Sequence, residues 1–164
     1  MMRRVGAFAA VLLVLACSGN GDSTPTDPVP AGVPIPFETI VQRSIPGQAG
    51  GQLREVARDA AAWSALWAQL REGPGGFTLP AEPPAVDFTR EMVILAAMET
   101  QGCVSRVTIR SIERRGGTLV VDLLEAPPAP NCVCVTSERP IHAVRLPRDP
   151  APVRFTAERG QTSC

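Results

Sequence analysis

The chain has 164 residues, which suits one ordinary domain once its two ends are set aside. Apolar residues make up 45% and charged residues 20%, a balance that supplies a core and excludes disorder throughout. The 16 basic residues, all Arg, are matched by 16 acidic ones, which leaves no basic excess of the kind that nucleic-acid phosphates require.

The chain opens with a short positive segment, "MMRR", followed by the small and apolar run Val5–Ala16. That run is too short to span a bilayer, which takes about 20 residues, and fits the apolar region of an export signal. It ends in "VLAC", with small Ala16 before Cys17. The pattern resembles the lipobox of bacterial lipoproteins. The resemblance implies a lipoprotein signal peptide over residues 1–16, cleavage before Cys17, and acyl chains on both its sulfur and its new amino group. One acyl chain holds a protein to a membrane only marginally, whereas two or more hold it stably. Ser18, rather than Asp, follows the cysteine, which points to the outer membrane of a bacterial envelope. The competing expectation is simple secretion, with Cys17 left as a disulfide partner.

Residues 17–36 are read as a tether. The part after the cysteine, "SGNGDSTPTDPVPAGVPIP", carries five prolines and little that a core would bury. Proline removes backbone donors and favours extended chain, so the segment is suited to hold a domain away from a surface.

A globular domain is expected over residues 37–158. "FETIVQRS" and "GGQLREVAR" read as strands separated by a Pro-Gly and Gly-rich turn. "DAAAWSALWAQLREG" predicts a helix. Asp59 is a good N-cap, three alanines follow, Arg71 suits the last turn and Gly73 ends it. Trp63, Leu66, Trp67 and Leu70 fall on one face at i, i+3, i+4 and i+7. "EMVILAAM" is apolar without interruption, as in a strand covered on both faces. "VSRVTIRSI" and "TLVVDLLEA" alternate, and the "ERRGG" between them predicts a β-hairpin. "PPAPNCVCVTS" reads as an irregular crossing before two more strands, "RPIHAVRLP" and "PVRFTAE". The expected fold is α+β, mainly antiparallel β, sandwich-like or as a rolled sheet, with one amphipathic helix. Residues 159–164 form a tail carrying Cys164.

Cys103, Cys132, Cys134 and Cys164 make an even set, which in an exported chain predicts two disulfides. A Cys132–Cys134 bridge would close a strained ring and is disfavoured. A bridge from Cys103 to either one pins the hairpin, a loop closure worth about 3.6 kcal/mol in the chain-entropy model, and Cys164 takes the remaining partner. Which takes which is open. Zinc is disfavoured because the C-x2-C spacing is missing, and no metal site is expected.

No catalytic set emerges. The single histidine, His142, lies in a strand-like run, where a half-buried structural role is expected, and no G-x-S-x-G elbow, HExxH, phosphate loop or dinucleotide fingerprint accompanies it. Arg106, Arg110, Arg114 and Arg115 crowd one hairpin; a solvated face is expected there, with a surface for an acidic partner as the competing possibility. The expectation is therefore a non-enzyme with no cofactor and no nucleic-acid partner.

The "WSALW" helix, "VDFTREMVILAA" and "RPIHAVRLPRDPAPVRF", in this order and spacing, resemble the PrcB C-terminal domain family, named for a lipoprotein subunit of a protease complex. The similarity runs from about Ser44 to Phe155. Val86, Asp87 and Phe88 match the family's entry into its central strand. Gln101–Gly102–Cys103 stands where relatives often have a Gly-Gly-Tyr-like turn, and Pro140–Ile141 where they have Pro-Tyr. The resemblance implies a lipid-anchored accessory domain that binds or stabilises an envelope protein, with a protease complex as one such partner. Two other functions compete: an envelope thiol-disulfide oxidoreductase using Cys132 and Cys134, and a small-ligand or glycan binder stacking its ligand on Trp63 and Trp67. The oligomeric state is not legible.

Overall fold

The computed structural model describes residues 32–47, 49–73, 76–99, 101–102 and 105–164. Among them run β1 (Val33–Pro34), β2 (Glu38–Pro46), β3 (Leu53–Ala57), α1 (Ala60–Arg71), a 3-10 turn (Gly76–Thr78), β4 (Glu91–Ala97), β5 (Gln101–Gly102), β6 (Arg106–Arg115), β7 (Thr118–Ala126), β8 (Ser137–Pro147) and β9 (Val153–Arg159). The strands form two sheets. One is ordered β1-β6-β7-β9; the other is ordered β2-β8-β4-β3, with the short β5 also on β8. All pairings are antiparallel except β7 with β9, which is parallel. The fold is β-rich α+β, with two sheets and one α-helix among the described residues.

Helix α1 forms where its local signals place it. The Asp59 side chain accepts the Ala62 N–H at 2.8 Å, satisfying one of the donors that a helix start leaves free. Its apolar stripe lies on the outer face of the larger sheet. Trp63, Trp67 and Leu70 are buried there against Val93, Leu95 and Ala97 of β4 and Ile141 and Ala143 of β8. The opposite face of β4, with Met92, Ile94 and Ala96, meets Val107, Ile109, Ile112, Leu119, Val121 and Leu123 of the smaller sheet. The layers are therefore helix, sheet, sheet, and β4 is covered on both sides, which explains its unbroken apolar run.

The Gly-Gly hairpin is present. Gly116 and Gly117 have φ of 54° and 81°, the left-handed values that a tight two-residue turn between right-twisted strands demands. The pairing of β6 with β7 slips between Ile109 and Ser111. This bulge shifts which side chains face inward, so Val107 and Ile109 are buried upstream and Ile112 downstream.

The ordered body extends past the boundaries that composition suggests. Val33 and Pro34, inside the run assigned to the tether 17–36, pair with Arg114 and Glu113 of β6. Ile35 N–H donates to the Ile112 carbonyl at 2.8 Å. Proline is tolerated there because this is a sheet edge, where a missing donor costs little. At the other end β9 runs to Arg159, and Thr162 continues the sheet by bridging to Pro128.

Candidate functional site

The stapled crossing between β7 and β8 brings the sequence-predicted cysteines together. Cys132 is bonded to Cys164, with Cα atoms 5.5 Å apart, so the tail is tied down as expected and the partner of Cys164 is fixed. Cys134 is also disulfide-bonded, and its partner is not among the described residues. Cys17 and Cys103 lie outside the described residues. Cys132 and Cys134 are thus committed to separate bridges and do not form a C-x-C couple with each other.

Two side chains stand out from this crossing. Val133 and Val135, on either side of Cys134, are 92% and 94% exposed. Residues two apart share a direction in extended chain, so bonded cysteines alternating with valines leave the valines facing water. Around them lies a hollow of about 230 Å³, lined by Cys132, Val133, Val135, Glu138 and Cys164. Gly102 of β5 packs against the same crossing: a Cβ there would lie 2.9 Å from the Cβ of Cys134, so a side chain would push on the staple.

A second polar constellation joins the two sheets. Gln42 and Ser44 of β2 reach across to β6 and to Ser105 just before it, beside the edge that the two-residue β1 leaves uncovered, while Thr39 of β2 meets His142 of the neighbouring β8. Gln42 Nε2 donates to the Val107 carbonyl at 3.2 Å and to Thr108 Oγ1 at 3.1 Å. Ser44 Oγ donates to the Ser105 carbonyl at 3.4 Å. His142 of β8 accepts the Ile109 N–H on Nδ1 at 2.8 Å, and its Nε2 lies 2.9 Å from Thr39 Oγ1. A backbone amide can only donate, so Nδ1 carries no proton and Nε2–H donates to Thr39. Sequence pattern suggests a half-buried histidine, but this one is 2% exposed, because its ring fills a ladder position instead of facing water. Burial pushes its pKa down to about 4. The only imidazole is therefore neutral and engaged on both nitrogens.

At the opposite rim Arg54 of β3 forms an ion pair with Glu125 of β7, whose side chain is 7% exposed. Gln52 donates to the same carboxylate at 2.8 Å, and Arg54 also donates to the Ala97 carbonyl at 2.9 Å. Burial lowers the pKa of Arg54. Neither residue is flagged by sequence pattern, since a charged residue in an alternating strand looks solvent-facing.

A cleft of about 630 Å³ is lined by Phe37, Glu38, Asp87, Arg90, Glu91 and Arg145. Arg145 is tied to Glu38 at 2.6 Å and lies 3.8 Å from Glu91, and the Glu38 carboxylate raises its pKa. The cleft's charges thus largely pair with one another. The hairpin arginines do the same. Arg110 binds Asp122 and Glu158, Arg114 binds Asp149, and Arg115 binds Glu113, while Arg106 has no carboxylate among the described residues. This leaves a solvated, internally neutralised face with little free positive charge for an acidic partner. Trp63 and Trp67 are 2% and 1% exposed, with their N–H groups donating to the Pro84 and Pro80 carbonyls, so neither ring presents a face for stacking.

Among the described residues no group of three or more His, Cys, Asp or Glu is placed to hold a metal ion, and no helix is long and apolar enough to cross a membrane. Comparison of the chain with protein-family models, characterised proteins and solved structures returns no match.

Proposed function

We propose that this chain is a lipid-anchored, non-catalytic domain of the bacterial cell envelope that binds or stabilises another envelope protein, with a protease complex as the partner class its family resemblance implies. The observation that carries the reading is the pair Val133 and Val135, almost fully exposed on a crossing held by disulfides. Exposed apolar side chains on a constrained loop offer contact area without the entropy cost of ordering the loop on binding. Supporting it are the lipobox-like "VLAC" ending at Cys17 and the resemblance of the "WSALW" to "RPIHAVRLP" region to the PrcB C-terminal domain family. With His142 engaged on both nitrogens and Arg110, Arg114 and Arg115 in internal pairs, Val133 and Val135 are the most exposed large apolar side chains among the described residues.

The test uses the full chain, extracted from envelopes in mild detergent with its bound proteins. A stoichiometric partner should co-purify with the parent and be lost from a Val133→Asp/Val135→Asp variant that keeps its disulfides. Recovery of no partner, or equal recovery with the variant, overturns the reading. Mass spectrometry of the same preparation reads the anchor: an unmodified sulfur at Cys17 or an uncleaved leader removes the lipid from the proposal.

A further inference from the structure

We propose that two copies of this chain pair through β9, joining their smaller sheets edge to edge across a two-fold axis at Thr156. This goes beyond the partner reading and needs no other protein, so the two stand or fall separately.

Strand β9 is the outer strand of the smaller sheet, seven residues long and free of proline and bulges. Such an edge is a template for another strand unless something guards it. The groups it offers can be identified. Leu119 N–H donates to the Pro152 carbonyl at 2.9 Å, and Gly160 N–H donates to the Glu125 carbonyl at 2.8 Å. Even-numbered residues of β9 therefore point their backbone groups at β7. In a parallel ladder alternate residues point the other way, so Val153, Phe155, Ala157 and Arg159 present theirs at the open edge. No strand among the described residues pairs with that side.

An antiparallel partner centred on Thr156 uses all four. Phe155 would exchange both hydrogen bonds with the partner's Ala157, and Val153 with the partner's Arg159. The remaining positions, Arg154 opposite the partner's Glu158 and Thr156 opposite its own copy, would be the non-hydrogen-bonded pairs, where side chains come closest. Opposite charges thus meet twice, once on each side of the axis. Arg154 is exposed and has no ion pair within its own chain among the described residues, whereas Glu158 holds Arg110 at 2.7 Å and has a second oxygen to share. A slide of two residues in either direction sets Arg154 against Thr156 or Gly160 and loses both pairs, so the charges select one register. Charges on an edge strand usually repel a second copy; here their order makes the edge complementary to itself.

The experiment is a charge exchange read by sedimentation of the full chain in detergent. The parent should show a concentration-dependent doubling of mass. Arg154→Glu alone puts Glu opposite Glu, and Glu158→Arg alone puts Arg opposite Arg, so each should be monomeric. Mixing the two single variants places opposite charges at both positions and should restore the dimer. Thr156→Cys should give an intermolecular disulfide on mild oxidation, since non-hydrogen-bonded antiparallel pairs bring Cα atoms within disulfide reach. Ala157→Pro removes an outward N–H without touching β7, and should abolish that crosslink while leaving the far-ultraviolet circular dichroism unchanged. A parent that stays monomeric at every concentration and gives no Thr156→Cys crosslink overturns the proposal. So does a dimer that survives Ala157→Pro or is unaffected by either charge reversal.

Discussion

His142 Nδ1 accepts the backbone N–H of Ile109 at 2.8 Å, so a side chain of the larger sheet stands in for a missing strand beside the smaller one. That bond requires an unprotonated ring nitrogen, and burial holds the pKa near 4, against an ordinary value of about 6.5. Between those values the unfolded chain binds a proton that the folded chain refuses. The stabilisation is therefore fully present above about pH 6.5 and is lost as the pH falls towards 4, by about 3 kcal/mol across the window. Urea midpoints should fall over that range. A His142→Gln variant, whose amide oxygen can still accept the Ile109 N–H but does not titrate, should show a flatter profile. Equal slopes for parent and variant would place the pH dependence elsewhere.

Glu125 neutralises Arg54 in a site where water is scarce, with side chains 7% and 16% exposed. Glu125→Gln leaves the guanidinium stranded and should cost about 3–5 kcal/mol, as removal of one partner from a buried pair does. Replacing both, as Arg54→Met with Glu125→Leu, should cost far less, because the apolar pair needs no solvation. The comparison is made by denaturant unfolding, and a single variant as stable as the double one contradicts it.

The Cys132–Cys164 bridge spans 32 residues of sequence. Cys164→Ser should lower stability by about 3–4 kcal/mol on the chain-entropy account. It should also release the segment that pairs Thr162 with Pro127 and Ala129, seen as faster amide exchange at Thr162 and Ala129. Unchanged exchange there would mean that the hydrogen bonds hold the tail without the bridge.

Trp63 and Trp67 pack with ring centroids 5.4 Å apart beneath the helix. Their fluorescence should be blue-shifted and resistant to iodide in the native protein. Trp67→Ala should destabilise by about 3–5 kcal/mol. Iodide quenching at native pH, or an emission shift with added glycan, would show that the rings reach solvent and would revive a ligand role for them.

The elements with strong local signals were legible. The helix announces itself by Asp59, by its Trp and Leu stripe and by Gly73, and β4 by six consecutive apolar residues from Met92 to Ala97. The hairpin needs only Gly116 and Gly117, both with positive φ. Even the bulge leaves a trace, since buried Ile109 and Ile112 are three residues apart where a regular strand would place them two or four apart. The contacts that define the site were not legible. Strand β9 lies parallel to β7, yet its alternation would look the same beside any neighbour. Gln42 and Arg54 look like the wet side of a strand and His142 like a half-buried one, because their partners Val107, Glu125 and Ile109 lie tens of residues away and no local pattern records them. The cysteine spacing narrowed the pairings, and only their positions in space assigned Cys164 to Cys132.

The pairing of β2 with β8 joins Glu38 to Arg145 across 107 residues of chain. Loop-closure entropy on that scale must be met before the contact is rewarded, which places the protein among slow folders, on the order of milliseconds to seconds. Until β8 arrives, Ile45 has no strand beside it and β4 lacks one neighbour, so the growing chain exposes its stickiest segments for longest. Its yield in a cell should therefore follow the supply of holding chaperones more closely than its equilibrium stability.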